Sequence, residues 1–295
     1  MSTIEEKHGF ACKEIQKIIY WLLTGIFSFY VNLWCAMMKV NFRGVEIPEK
    51  NSKMAGCSRK ENRGIMAEII LMDTHTWRFE DDFVRFFLLE GEEQAVLLDS
   101  GVNCPDGLAL AKGLTDKPIL LLNTHGDADH TSGTAAFSEI HMHRADYEVC
   151  GLKEKYPDTV LAEVRDGDVI ELGNRPLEIL HIPWHTVGSI AVLDVDNRAL
   201  YAGDSVQKGH IYMFGGHRAP NRFETSLNRL IARRKDYDRI YASHDVYELP
   251  GDYAERVKQD WKQVQSGTLP YEMVNLFGNE VRSYTGENCG FLMEK

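Results

Sequence analysis

The sequence has 295 residues, of which 44% are hydrophobic and 26% charged, and its formal net charge at pH 7 is −11. This composition excludes a disordered or collagen-like chain and allows a sizeable core. Residues 1–65 carry +4 and residues 66–295 carry −15, so the larger, acidic part disfavours nucleic acid as a partner. Six widely separated cysteines, none in a C-x-x-C pair, predict a reduced protein without a disulfide framework.

The first predicted element is an apolar helix at residues 18–38. The stretch has 21 residues without a charged side chain, and a helix of that length spans about 31 Å, close to the thickness of a bilayer core. Lys17 and Lys39 bracket it, and more Lys and Arg residues follow it than precede it. By the positive-inside tendency, we expect a membrane anchor that leaves the following domain in the cytoplasm.

Two other interpretations of residues 1–65 stay open. Thr24, Ser28 and Asn32 recur at helical spacing, so the helix could instead cover an apolar patch on the main domain. Alternatively, translation starts at Met66, and residues 1–65 are an upstream extension whose second half is a polar linker.

From Met66 onward, short runs rich in Val, Ile and Leu alternate with turn residues. They predict strands at 67–72, 83–90, 95–99, 118–123, 169–172, 177–182, 189–195 and 199–204. Helical patterns occupy 106–112, 133–137, 144–153, 222–234 and 252–266. Because strands and helices interleave, residues 66–295 are expected to form one layered α/β domain.

Several predicted strands end in residues that can bind metal. The strand at 118–123 is followed within seven residues by four of them, and three more stand beside later strands. They are His125, Asp127, Asp129, His130, His185, Asp204 and His244. A single His after a strand is usually a surface or hydrogen-bonded residue. Imidazoles and carboxylates on so many strand-end loops predict a metal site instead.

The order Asp99, the cluster at 125–130, His185, Asp204 and His244 closely resembles the metallo-β-lactamase superfamily over residues 66–285. The resemblance implies a four-layer αββα sandwich with a dinuclear site at one edge between two sheets. It also implies the ligand sets: His125, Asp127 and His185 for one metal; Asp129, His130 and His244 for the other; Asp204 as the bridge. Asp99 matches the family's first motif and would anchor the ligand loop by hydrogen bonds, and Thr186 and Gly188 fit the turn that presents His185.

Asp127 departs from the family's H-x-H-x-D-H motif, where a second His is usual. A carboxylate there lowers the charge of the site by one. We expect two divalent ions, with zinc first and iron or manganese as alternatives because they are harder ions. Another interpretation is that Asp127 only hydrogen-bonds a ligand and leaves one metal under-coordinated.

The resemblance implies a dinuclear metal-dependent hydrolase whose metal-bridging hydroxide attacks a small ester, thioester, lactone or amide. Asp129 would orient the nucleophile and Asp204 would hold the two metals together. The alternatives are a phosphodiesterase, a diiron redox enzyme akin to the family's flavoproteins, and a domain that binds metal without turnover. We expect a small-molecule substrate and no nucleic-acid partner.

The stretch at 205–220 follows Asp204 and is glycine-hinged and aromatic, so it could form a roof over the site. Candidate substrate-binding residues are Trp184, His210, Tyr212, Phe214 and His217. The alternative is that Tyr212 and Phe214, with the Met between them, fill a gap in the core.

Overall fold

Seven strands form the first sheet of this computed structural model, which describes residues 67–295. They are β1 (Glu68–Asp73), β2 (Thr76–Asp81), β3 (Val84–Glu90), β4 (Ala95–Leu98), β5 (Ile119–Leu122), β6 (Glu139–Met142) and β7 (Val160–Glu163), and they lie side by side in chain order. The pairs from β1 to β4 are antiparallel and those from β4 to β7 are parallel. Parallel pairing brings the ends of β4 and β5 to the same edge of the sheet.

A second sheet of six strands has the order β14-β13-β11-β10-β9-β8. Its members are β8 (Val169–Glu171), β9 (Pro176–His181), β10 (Ile190–Asp194), β11 (Ala199–Tyr201), β13 (Arg239–Tyr241) and β14 (Glu248–Pro250). All five residues of β10 are buried, as expected of a central strand that is covered on both faces.

The two sheets pack face to face. Phe87, Val96 and Leu98 from the first sheet share one buried cluster with Ile179 and Val192 from the second. These residues alternate along their strands with others that face the helices, because successive side chains of a strand point to opposite faces.

Helices cover both outer faces. Three short ones, α1 (Gly107–Lys112), α2 (Arg144–Val149) and α3 (Leu152–Lys155), pack on the first sheet. Two longer ones, α4 (Phe223–Ala232) and α5 (Tyr253–Gln265), pack on the second, and α4 buries Phe223, Leu227 and Leu230 at helical spacing. The layers are therefore helix, sheet, sheet, helix, which confirms the predicted α/β sandwich.

Several details differ from the predicted elements, among them the strands β2, β6, β7 and β14, which were not predicted. A third sheet, β12-β17-β16-β15, is built from β12 (His210–Met213), β15 (Tyr271–Leu276), β16 (Asn279–Thr285) and β17 (Gly290–Glu294). The stretch at 205–220 is thus not one loop, because β12 pairs with β17. The helix expected at 133–137 is a short 3-10 turn, Thr134–Ala136. The helix expected at 144–153 divides at Gly151, whose φ of 65° cannot continue a helix.

The apolar helix predicted at 18–38 and the linker after it lie outside the described residues. Between residues 67 and 295, no helix has the length and apolar character needed to cross a membrane.

Candidate metal centre

The loop that follows β5 is fixed by Asp99, which comes directly after β4. Its carboxylate accepts hydrogen bonds from the Thr124 backbone N–H at 2.7 Å and the Thr124 hydroxyl at 2.8 Å. It also lies 2.9 Å from Nδ1 of His130. Asp99 has a φ of 64°, and it is buried. It therefore positions the ligand loop and turns Nε2 of His130 away from itself, toward the site.

The loop between β9 and β10, which carries His185, is tied to the first loop by Asp146 of α2. This buried carboxylate accepts hydrogen bonds from the N–H of Gly126 at 2.9 Å, the hydroxyl of Thr186 at 2.6 Å and the N–H of Gly188 at 2.6 Å. A Cβ added to Gly188 would lie 2.6 Å from the backbone nitrogen of Asp146, so only glycine permits this approach.

Four predicted ligands converge on one point. Potential ligand atoms of Asp129, His130, Asp204 and His244 all lie within 4.8 Å of one another. Asp204 has one oxygen 3.2 Å from Nε2 of His130 and the other 3.1 Å from Nε2 of His244. Nδ1 of His244 faces the backbone carbonyl of Phe83 at 2.8 Å, which leaves Nε2 directed at the cluster. We call these four residues the second ligand set.

The other predicted set is brought together differently. His125, His185 and Asp204 have ligand atoms within 4.8 Å of one another, and Asp127 does so with Cys150 and His217. One Asp127 oxygen also lies 3.2 Å from Nε2 of His185 and 3.6 Å from Nε2 of His125. One Asp127 oxygen lies 2.9 Å from Nε2 of His217, and the other accepts a hydrogen bond from Arg218 Nη2 at 2.7 Å. We call His125, Asp127 and His185 the first ligand set.

The pKa shifts reflect this concentration of charge. Burial opposes ionisation of Asp127, but the neighbouring imidazoles of His125, His185 and His217 outweigh it and hold the pKa of its carboxyl below the usual range. Burial likewise disfavours a charged His244, yet Asp204 and Asp129 raise its pKa to about 10. Burial, reinforced by a neighbouring guanidinium, lowers the pKa of His185 to about 4. Several carboxylates in one buried place favour a cation.

Unpaired atoms in the described residues indicate where a cation fits. His125 Nε2, His130 Nε2 and Asp204 Oδ1 are buried without a hydrogen-bond partner. Buried polar atoms are normally paired, and imidazole nitrogens and carboxylate oxygens are common ligands of divalent ions. The residues of the second ligand set therefore fit a divalent metal.

The structure places the candidate substrate-binding residues in different surroundings. Among their side chains, only that of His217 contacts a predicted metal ligand, Asp127. Trp184 is fully buried and packs on the Phe223 ring, so the idea that it lines a substrate pocket is wrong. His210 belongs to the third sheet, with Nε2 3.2 Å from the Ser283 hydroxyl.

Tyr212 and Phe214 stack on each other, with ring centroids 5.8 Å apart. Phe214 is 8% exposed and packs with Val281 and Leu292, which agrees with the core-filling alternative for this residue. The carbonyl of Tyr212 lies 3.0 Å from Nδ1 of His185, so this residue orients a ligand through its backbone.

Two residues of the centre were not predicted from the sequence. Asp146 sits in a short helix where an acid in the first turn is ordinary. Arg218 follows His217 in the stretch at 205–220, and an arginine next to a candidate substrate-binding residue was the only signal.

An αββα sandwich with His and Asp side chains converging on strand-end loops defines a class of metal-binding proteins. The family model of the metallo-beta-lactamase superfamily matches residues 80–244, more than half of the chain. The chain belongs to this superfamily.

Two curated relatives are similar over part of the chain. The acyl-coenzyme A thioesterase MBLAC2 of Homo sapiens is 28% identical over 164 residues, which cover 42% of this chain and 59% of that protein. The hydroxyacylglutathione hydrolase of Yersinia pestis (strain Pestoides F) is 28% identical over 209 residues, covering 67% of this chain and 79% of that protein. The chain thus matches a little over half the length of the first relative.

Among solved structures, a metallo-beta-lactamase from Pontibacter korlensis superposes with a TM-score of 0.56 at 15% identity. The match covers 65% of this chain and 97% of that one. A likeness at this identity shows the shared fold.

Proposed function

We propose that the protein is a metal-dependent hydrolase that cleaves thioesters of small acyl groups. The observation that carries the proposal is the second ligand set, in which two imidazoles and two carboxylates converge within 4.8 Å. A divalent ion held by Asp129, His130, Asp204 and His244, for which we propose zinc, would polarise a carbonyl group and lower the pKa of water.

The residues around this set have distinct roles in the proposal. Asp129 has the most exposed side chain of the four, at 23%, against 0% for His130, 9% for Asp204 and 15% for His244. We assign to Asp129 the orientation of the attacking water, because its carboxylate is the one that solvent reaches most easily. Asp204 lies within 4 Å of four imidazoles, including His125 and His185, and holds the centre together.

The surface beside His244 suits an acyl substrate. The ring of Phe83 stacks on His244 with centroids 5.9 Å apart, and Phe83 is 46% exposed. Val246, two residues after His244, is 43% exposed. Exposed apolar side chains next to a polar site favour a ligand with an apolar part. The names of both curated relatives denote hydrolysis of an acyl group carried on a thiol, which supports a thioester over an amide or lactone.

The proposal is tested with purified full-length protein that is stripped by a chelator and reloaded separately with Zn²⁺, Mn²⁺ or Fe²⁺. The substrates are an acyl-coenzyme A, a hydroxyacyl-glutathione, a p-nitrophenyl ester and bis(p-nitrophenyl) phosphate. Products are separated by chromatography, since thiol reagents would also modify the protein's cysteines. We expect metal-dependent thioester cleavage with kcat/KM above that for the other substrates.

Variants connect this activity to the centre. His130→Ala and Asp204→Asn are expected to lower kcat/KM at least about 100-fold, which is about 2.7 kcal/mol of transition-state stabilisation. The matched controls are His75→Gln, whose side chain is 61% exposed, and Asp158→Asn, which is also exposed. No thioester cleavage with any of the three metals would overturn the proposal, and cleavage of the phosphodiester alone would favour the phosphodiesterase.

A further inference from the structure

The guanidinium of Arg218 lies among the residues of the first ligand set. Its Nη2 donates to a carboxylate oxygen of Asp127 at 2.7 Å, and its Nη1 lies 2.9 Å from Nε2 of His185. Nη1 also donates to the backbone carbonyl of His185 at 3.2 Å. The side chain is 11% exposed, so the contacts are largely shielded from water.

The backbone holds Arg218 in this place. The N–H of Ala219 donates to the carbonyl of Trp184 at 2.9 Å, and the N–H of Val187 donates to the carbonyl of His217 at 2.9 Å. These two bonds join the residues on either side of Arg218 to the residues on either side of His185. The arginine therefore reaches its partners from a fixed and adjacent segment.

The contacts use the atoms that a first metal would need. Nδ1 of His185 faces the carbonyl of Tyr212 at 3.0 Å, which only an N–H can satisfy, so Nε2 carries the lone pair. That single lone pair accepts the hydrogen bond from Arg218. Both oxygens of Asp127 are also engaged, one with Arg218 and the other with Nε2 of His217.

The second ligand set has no such partner. In the described part of the chain, no Arg or Lys forms a salt bridge with Asp129 or Asp204. His130 Nε2 and Asp204 Oδ1 have no hydrogen-bond partner among these residues. In the first set, only His125 has an Nε2 without a hydrogen-bond partner. That imidazole and the carboxylate of Asp204 provide two ligands, whereas a tight site needs three or four.

We propose that the Asp127–Arg218 ion pair replaces the first metal, so that the protein binds one divalent ion tightly, at the second ligand set. The proposal rests on the metal-dependent function proposed above and changes the expected number of ions from two to one. Asp127 adds one negative charge where the family has a neutral imidazole, and Arg218 supplies the matching positive charge. A divalent ion at the first set would have to break both charge-assisted hydrogen bonds of Arg218 and would be repelled by it.

The test is isothermal titration of metal-free, full-length protein with Zn²⁺ alone, together with elemental analysis of the dialysed product. We expect one tightly bound ion in the wild-type protein and a second ion that binds at least about 100-fold more weakly, because two charge-assisted hydrogen bonds must break. The Asp127→His/Arg218→Ala double variant, which restores the family's imidazole and removes the guanidinium, is expected to bind two ions tightly.

The control is Arg222→Ala, which removes an exposed arginine four residues away and is expected to keep the stoichiometry of one. Two ions that bind wild-type protein with affinities within about tenfold of each other would overturn the inference, as would a folded double variant that binds only one. Folded wild-type protein that binds no ion would instead refute the proposed metal-dependent function, so the two failures are distinguishable. The wild-type titration needs no variant to fold.

Discussion

Asp146 joins the loop of His125 to the loop of His185, and replacing it tests how the centre is supported. Its carboxylate accepts three hydrogen bonds of 2.6–2.9 Å, from Gly126, Thr186 and Gly188. Asp146→Asn leaves one oxygen that can keep the Gly126 and Thr186 bonds, but turns an amide N–H₂ toward the N–H of Gly188. Asp146→Ala removes all three acceptors.

The expected cost follows from these contacts. A buried donor left without an acceptor costs about 1–3 kcal/mol, so we expect Asp146→Asn to lower the free energy of unfolding by about 2 kcal/mol. Asp146→Ala strands three donors in a buried network, for which about 3–5 kcal/mol is expected. For a domain of this size, 1 kcal/mol corresponds to a Tm change of about 2–4 °C.

Urea denaturation of the full-length protein measures the stability, and competition with a chelator measures the affinity for Zn²⁺. Because Asp146 fixes Gly126 in the loop that also carries Asp129 and His130, and does so without touching the ligands' metal-facing atoms, we expect the affinity to fall about 10–100-fold. The matched control, Asp158→Asn on the exposed surface, should change stability by less than about 0.5 kcal/mol. Wild-type stability and wild-type affinity in both Asp146 variants would refute this reasoning.

Three further predictions concern single residues. Gly188→Ala, which brings a Cβ to 2.6 Å from the backbone nitrogen of Asp146, is expected to cost about 1–3 kcal/mol in urea, whereas Gly216→Ala, with open space around it, should cost less than about 0.5. Trp184→Ala should lower the free energy of unfolding by about 3–5 kcal/mol because the side chain is fully buried. An altered KM together with wild-type stability would instead indicate that Trp184 contacts the substrate. Burial raises the pKa of Cys150 to about 12, so peptide mapping should find maleimide labelling at pH 8 at least about 100-fold slower in native protein than in urea; equal rates would contradict it.

The strands that the sequence predicted best are those buried on both faces. β4 is a continuous apolar run, β10 is apolar except for its last residue, Asp194, and every residue in both strands is buried. β2 was missed because its sequence, TWRFED, alternates aromatic and charged residues between charged turns. Strand β15 of the third sheet has mostly exposed residues, so hydrophobic periodicity gives little signal there. The layered architecture was predictable, and the third sheet was not.

The ligand residues were predictable for a related reason. His125 and His244 each lie three residues after the end of a strand, and His130 lies in the same loop as His125. Their chemistry is visible in the residue type. Asp146 was not predictable, because a carboxylate in a short helix has the same sequence signal whether it faces solvent or three buried donors. Its role depends on contacts that span 20 to 42 residues of chain.

Asp127 shows why a family's ligand set does not transfer one residue at a time. Taken alone, a carboxylate in place of an imidazole can still bind metal, and the family resemblance assigned Asp127 to the first metal, with a hydrogen-bonding role as the alternative. Arg218 lies 91 residues further along the chain and forms an ion pair with Asp127. Removing either residue would leave the charge of the other largely buried and uncompensated, which is strongly destabilising. Positions 127 and 218 should therefore be compared together when this protein is aligned with its relatives. A relative with His at the position of Asp127 and no arginine at that of Arg218 would keep both ligand sets open, whereas the pair found here closes the first.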